Sequence, residues 1–236
     1  MSNRHTVDSS HYYARIAGFG LLLMAILAMF ANFSVIEGLI VLNDAPTTIQ
    51  NILDHEMSYR AGLISFVIVT ILDVLVAWTL YVLFKPVHKN LAVLAVCLRL
   101  VYTSIFAGAL NHLLSLLGLL GSMDGSMLLI STEQLNTQTM LLIHAFKNSW
   151  LIGLVFFAFH LLVIGMLIIK SKGYLPKWIG IFLILAFLGY LLDSMAYFLL
   201  PNYTDYEIIF QMIVAIPGVI GELSLAFWLV LKGVKR

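Results

Sequence analysis

Apolar residues recur along this chain in runs of about twenty, separated by short polar stretches. The runs lie at 14–36, 62–84, 91–113, 149–169, 178–200 and 208–231. A helix rising 1.5 Å per residue needs about 20 residues to cross the roughly 30 Å of hydrocarbon in a bilayer. Each run therefore predicts one transmembrane helix. Unbroken apolar runs lack the alternation of a membrane β-barrel, so the expected fold is an all-α bundle of six transmembrane helices.

The flanking residues orient the bundle. Lys85-Pro86-Val87-His88-Lys89 separates the second and third runs, and Lys170-Ser171-Lys172-Gly173-Tyr174-Leu175-Pro176-Lys177 the fourth and fifth. Both are basic and carry a proline, the second also a glycine, which marks them as short loops. The chain ends in Lys232-Gly233-Val234-Lys235-Arg236. The other connections carry Asp44, Asp54, Glu56, Asp124, Glu133, Asp205 and Glu207, with Arg60 and Lys147 at span edges. By the positive-inside rule the basic side is cytoplasmic. The expected layout is a cytoplasmic tail at 1–13, a single six-helix domain at 14–233 and a cytoplasmic C-terminal tail at 234–236. Arg4 and Arg15 precede an apolar stretch, as in a signal peptide. That stretch is longer than a signal core and lacks a small-residue cleavage site, so it reads as an uncleaved first span.

Two connections exceed what a turn requires. Within 37–61, Thr47 or Thr48 is placed to cap a short helix. Within 114–148, Gly121-Ser122-Met123-Asp124-Gly125-Ser126 reads as a turn, and Glu133 to Asn148 as an interfacial helix entering the fourth span.

Composition supports the membrane assignment. Of 236 residues, 61% are hydrophobic and 11% charged, with a mean hydropathy of +1.00; a soluble domain is about a quarter charged. The net charge of +1 argues against a nucleic-acid partner, which requires a concentrated basic surface. Cys97 is the only cysteine, so no internal disulfide and no CxxC site can form.

Against this background the polar residues inside the spans are the informative ones, because an ionisable group at mid-bilayer costs several kcal/mol. Asp73 lies at the centre of the second span and must be either neutral or paired with a cation. Glu222 follows Pro217-Gly218 in the sixth. Pro217 removes a backbone donor and frees the carbonyl of Ile213. His160 is central in the fourth, on one stripe with Ser149 and Gly153. Arg99, about 13 Å into the third span, is the expected counter-ion, through a bidentate bond to Asp73 or Glu222. Asp193, in the outer third of the fifth span, would reach water or an outer-loop partner. Asp73, Arg99, His160, Glu222 and Asp193 are thus the candidate site, with the first four lining one mid-depth polar pocket.

Three readings of that cluster follow. It could bind a lipid or small amphipathic ligand, or move protons or solute, as intramembrane acids beside a proline kink do elsewhere. It could be a structural knot that sets helix register. It could be an enzyme site using His160 with Asp73 and Glu222, although no His-x-x-x-His, His-Glu-x-x-His or Gly-x-Ser-x-Gly motif occurs. The residues name no catalytic group, metal site, cofactor or oligomeric state. The expected partners are the lipid bilayer and a lipid or small-molecule ligand.

Several segments carry a resemblance in fixed order: Tyr13-Ala14-Arg15-Ile16-Ala17-Gly18, Phe84-Lys85-Pro86-Val87-His88-Lys89-Asn90, Gly173-Tyr174-Leu175-Pro176-Lys177-Trp178, Gly189-Tyr190-Leu191-Leu192-Asp193-Ser194 and Gly221-Glu222-Leu223-Ser224. Together, from about residue 13 to 233, they resemble a bacterial integral-membrane family known as domain of unknown function 4386. The resemblance implies one six-helix domain in a bacterial cytoplasmic membrane and brings no activity or site residue with it.

Overall fold

The computed structural model describes residues 2–121 and 131–234, with side chains from His11 onward. The turn expected at 121–126 lies, beyond Gly121, outside the described residues. All regular structure in the described residues is helical. Helix α1 covers Ser2–Ala31 and continues through a π-helical turn, Asn32–Ile36, and a last helical turn, Glu37–Leu39. It is followed by α2 (Ala45–Asp54), α3 (Glu56–Phe84), α4 (Lys89–Gly121), α5 (Thr132–Lys170), α6 (Lys177–Leu199) and α7 (Glu207–Leu231). Six segments are long and apolar enough to cross a membrane: His11–Leu39 and helices α3 to α7, with α2 as the short exception. Large apolar side chains such as Ile71, Leu141 and Ile208 are more than 60% exposed, as a lipid-facing surface requires.

The helices outrun the apolar runs that predict them, because polar turns at the ends are capped locally. Helix α5 begins at Thr132 and not near 149. Ser131 and Gln134 form a reciprocal capping box, Gln134 N–H to Ser131 Oγ at 3.2 Å and Ser131 N–H to Gln134 Oε1 at 2.9 Å. The expected interfacial segment and the fourth span are therefore one continuous helix. The cap of α2 is Asp44, not Thr47 or Thr48. Asp44 Oδ1 accepts from the Thr47 N–H at 3.0 Å, and Thr47 Oγ1 donates to Asp44 Oδ2 at 2.7 Å. Thr48 is fully buried and instead ties back to Val41, accepting from its N–H at 2.9 Å and donating to its carbonyl at 3.1 Å.

The chain divides into two compact units, Met1–Ala25 with Leu72–Thr103 and Leu151–Arg236, and Ile26–Ile71 with Ser104–Trp150. In the second unit, Tyr59 donates to the Leu113 carbonyl at 2.8 Å, and Phe66 meets Phe106 edge-on at 5.5 Å. The first unit is built on close backbone approaches, the usual device where lipid and side chains are equally apolar. Gly165 of α5 and Gly180 of α6 face each other so closely that a Cβ on either would lie 2.7–2.8 Å from the other's carbonyl oxygen. A Cβ at Gly189 of α6 would lie 2.7 Å from the Ile213 carbonyl oxygen of α7, the group that Pro217 leaves without its helical donor. The buried hydroxyls of Thr79 and Thr103 are satisfied within their own helices, Thr79 by Leu75 and Val76 and Thr103 by Arg99.

Two outcomes follow. Hydrogen bonds from the Thr47 hydroxyl and then its N–H hold the Asp44 carboxyl below its ordinary 3.8. A depressed folded-state value stabilises above the ordinary value and is lost as pH falls through the folded one. Amide exchange in α2 should therefore accelerate below about pH 4 and in Asp44→Ala at neutral pH, but not in Asp44→Asn, which still caps. Gly189→Ala should lower stability in detergent by about 1–3 kcal/mol through overpacking. Gly218→Ala, whose Cβ would meet only ordinary contacts of 3.7–3.8 Å, should not; equal melting temperatures for the two variants would contradict this packing.

Candidate functional site

Four helices bring ionisable groups to one level of the first unit. From Asp73 to Phe84, Lys89 to Arg99, His160 to Lys170 and Glu222 to Leu231 the chain runs nine to eleven residues, about 14–17 Å of helix. The four residues thus start from a common depth relative to their basic or C-terminal helix ends.

Arg99 is the centre of the group and is 2% exposed. Its Nε donates to Asp73 Oδ1 at 2.8 Å, and its Nη2 reaches the same oxygen at 2.6 Å. The expected fork onto two carboxylate oxygens is replaced by two donors on one. Asp73 Oδ2 is buried and has no hydrogen-bond partner among the described residues. Arg99 Nη1 faces His160 Nε2 at 3.1 Å, and His160 Nδ1 lies 2.9 Å from the Ala95 carbonyl. Guanidinium can only donate and a carbonyl can only accept. His160 is therefore the uncharged Nδ1–H tautomer, donating to Ala95 and accepting from Arg99. Neither ring nitrogen has a lone pair left over. Among the described residues no three His, Cys, Asp or Glu side chains are grouped to hold a metal ion.

One aromatic ring covers the guanidinium. Its carbon lies 5.6 Å from the Phe157 ring centroid, a cation–π distance. Phe157 also stacks on His160 and touches Tyr102 and Tyr190. Met24 Sδ of α1 lies 3.9 Å from Nη2. Tyr190 is hydrogen-bonded to Glu222, which joins the group electrostatically with both Arg99 and Asp73 but makes no direct bond to the guanidinium among those present. Phe157 and Tyr190 were not singled out from the sequence. The available signal is spacing: Phe157 lies one turn before His160 and Tyr190 one turn before Asp193, on the same helix faces.

Asp193 lies apart from the guanidinium contacts. Its Oδ1 accepts from Tyr203 Oη at 2.7 Å, in the connection between α6 and α7. Burial, and then this bond, push the Tyr203 phenol above its ordinary value, so it remains an O–H donor. Beside His160 an apolar crevice lined by Ala77, Tyr81, Ala92 and Leu167 holds about 170 Å³ of free space, spread too thinly to admit a water molecule.

A bundle of six apolar helices with ion-paired side chains inside it is a multi-pass integral membrane protein. The chain belongs to the family described as Domain of unknown function (DUF4386), whose model matches residues 16–233. It is also 32% identical over 174 residues to an uncharacterized protein of Archaeoglobus fulgidus, covering 74% of this chain and 85% of that one. No solved structure matches it.

The shared guanidinium predicts non-additivity. With either carboxylate alone, Arg99 keeps a counter-ion; with neither, a charge is buried unpaired, at a cost of about 3–5 kcal/mol. Asp73→Asn and Glu222→Gln should each lower the detergent unfolding midpoint modestly, and the double variant by clearly more than their sum. Arg99→Leu, which strips donors from Asp73 and His160 together, should be worse than Asp73→Leu. Additive effects in the double-mutant cycle would refute a shared counter-ion.

Proposed function

We propose that this protein is a proton-coupled membrane protein, in which the Asp73–Arg99–His160–Glu222 group takes up and releases one proton at mid-span. The observation that carries this reading is the charge count: one guanidinium is bonded to one carboxylate, Asp73, and interacts electrostatically with a second, Glu222, while the histidine is uncharged by its hydrogen bonds. With both acids ionised the group carries one net negative charge in a region where an unbalanced charge is costly. One proton restores neutrality. Asp73 takes two arginine donors on one oxygen, so Glu222, held by Tyr190, is the group that receives it. The proton comes from water, bonds to a Glu222 carboxylate oxygen and leaves by the same bond.

Helix α7 is suited to report that change. Pro217 interrupts its hydrogen bonding little more than one turn before Glu222, and its freed carbonyl rests on Gly189 of α6. The orientation that accompanies this reading places the lysine-rich loops and both termini on the cytoplasmic side of a bacterial cytoplasmic membrane. The whole six-helix domain is then the working unit. A second reading, a purely structural knot, is favoured by the enclosure of Arg99: the donors accounted for all go to groups of the protein, and the crevice beside His160 excludes water.

Infrared spectroscopy of the protein in lipid separates the two. A carboxylic-acid carbonyl band that appears and disappears reversibly with pH, and vanishes in Glu222→Gln, supports the proton site. So does a pH gradient across liposomes that dissipates with wild type but not with Glu222→Gln. No Glu222-dependent acid band at any pH would overturn the reading in favour of the knot.

A further inference from the structure

Helices α1 and α3 leave an open groove on the lipid-facing surface of the first unit, separate from the polar group and independent of its proposed role. Its volume is about 460 Å³ and its walls are almost wholly apolar, formed by Phe19, Leu23, Leu72 and Leu75 with Tyr12 and Arg15 at one end. We propose that this groove binds one anionic phospholipid, with an acyl chain along the apolar wall and the phosphate on Arg15.

Three features select that occupant. Arg15 is exposed, and among the described residues no side chain pairs with it. A guanidinium at the edge of hydrocarbon calls for an anion, and phosphate matches its donor fork. The aromatic residues at that end mark the headgroup level: Tyr12 meets Tyr13 edge-on at 5.6 Å, and Tyr13 meets Trp78 of α3 at 5.3 Å. From Arg15 to Leu23 the groove extends about 12 Å towards the middle of the span, a path for a chain. The approach of α1 to α3 is close at Gly20, where a Cβ would lie 2.8 Å from a Val76 methyl.

The test is native mass spectrometry of the full chain in detergent, titrated separately with phosphatidylglycerol and phosphatidylcholine. Wild type should retain one phosphatidylglycerol in preference to phosphatidylcholine by about fivefold, the contribution of one basic residue at an anionic surface. Arg15→Gln should abolish the preference. Leu23→Trp, which fills the groove, should lose the retained lipid of either kind, with Leu75→Phe as a second filling variant should the first not fold. Equal retention of the two lipids by wild type, an unchanged preference in Arg15→Gln, or a dimer that lipid fails to displace would overturn the proposal.

Discussion

A guanidinium placed a third of the way along an apolar helix cannot lose its charge, and this condition organises the first unit. Arg99 needs acceptors, and its own helix supplies none for its terminal nitrogens. They come from α3 as Asp73, from α5 as His160 and, weakly, from α1 as Met24. Rotating α3 by one residue, about 100°, would carry Asp73 away from Arg99 and leave both buried unpaired. The ion pair thereby specifies which face of each helix turns inward, among helices whose other residues are apolar nearly all round and specify little.

The remaining contacts of that unit depend on the absence of side chains. Gly165 against Gly180 and Gly189 against the Ile213 carbonyl bring backbones to distances a methyl group would prevent. The approach at Gly189 places α6 beside the one carbonyl of α7 that a proline has released, and so places Tyr190 beside Glu222. A covalent constraint at Pro217 and a missing atom at Gly189 thus position an acid that has no cation of its own.

Arg15 and Arg99, both in the first unit, illustrate how depth changes the role of one side chain. Arg15, near the aromatic end of α1, is open to the surroundings and is suited to an external anion. Arg99, covered by Phe157 and bonded to Asp73 and His160, is a fixed charge whose partners the protein itself supplies.

Much of this architecture is local and hence legible in the residues. In lipid a backbone must satisfy its own hydrogen bonds, so an apolar run of sufficient length is a helix whatever surrounds it, and the spans follow from hydropathy alone. Helix caps were less legible: the helix expected from Glu133 is there and starts at Thr132, but the Ser131–Gln134 capping box that starts it has no hydropathy signal, and Asp44, not its threonine neighbours, caps α2. The sequence also determined that Asp73, Arg99, His160 and Glu222 sit at comparable depth, because depth is a count of residues along one helix. Only the tertiary structure decided that Asp73 takes the arginine through a single oxygen, that Glu222 goes to Tyr190 and Asp193 to Tyr203, and that Phe157 covers the charge. Those pairings depend on which helix faces meet, and that is set by small residues and crossing geometry between segments far apart in the chain, for which a hydropathy pattern carries no signal.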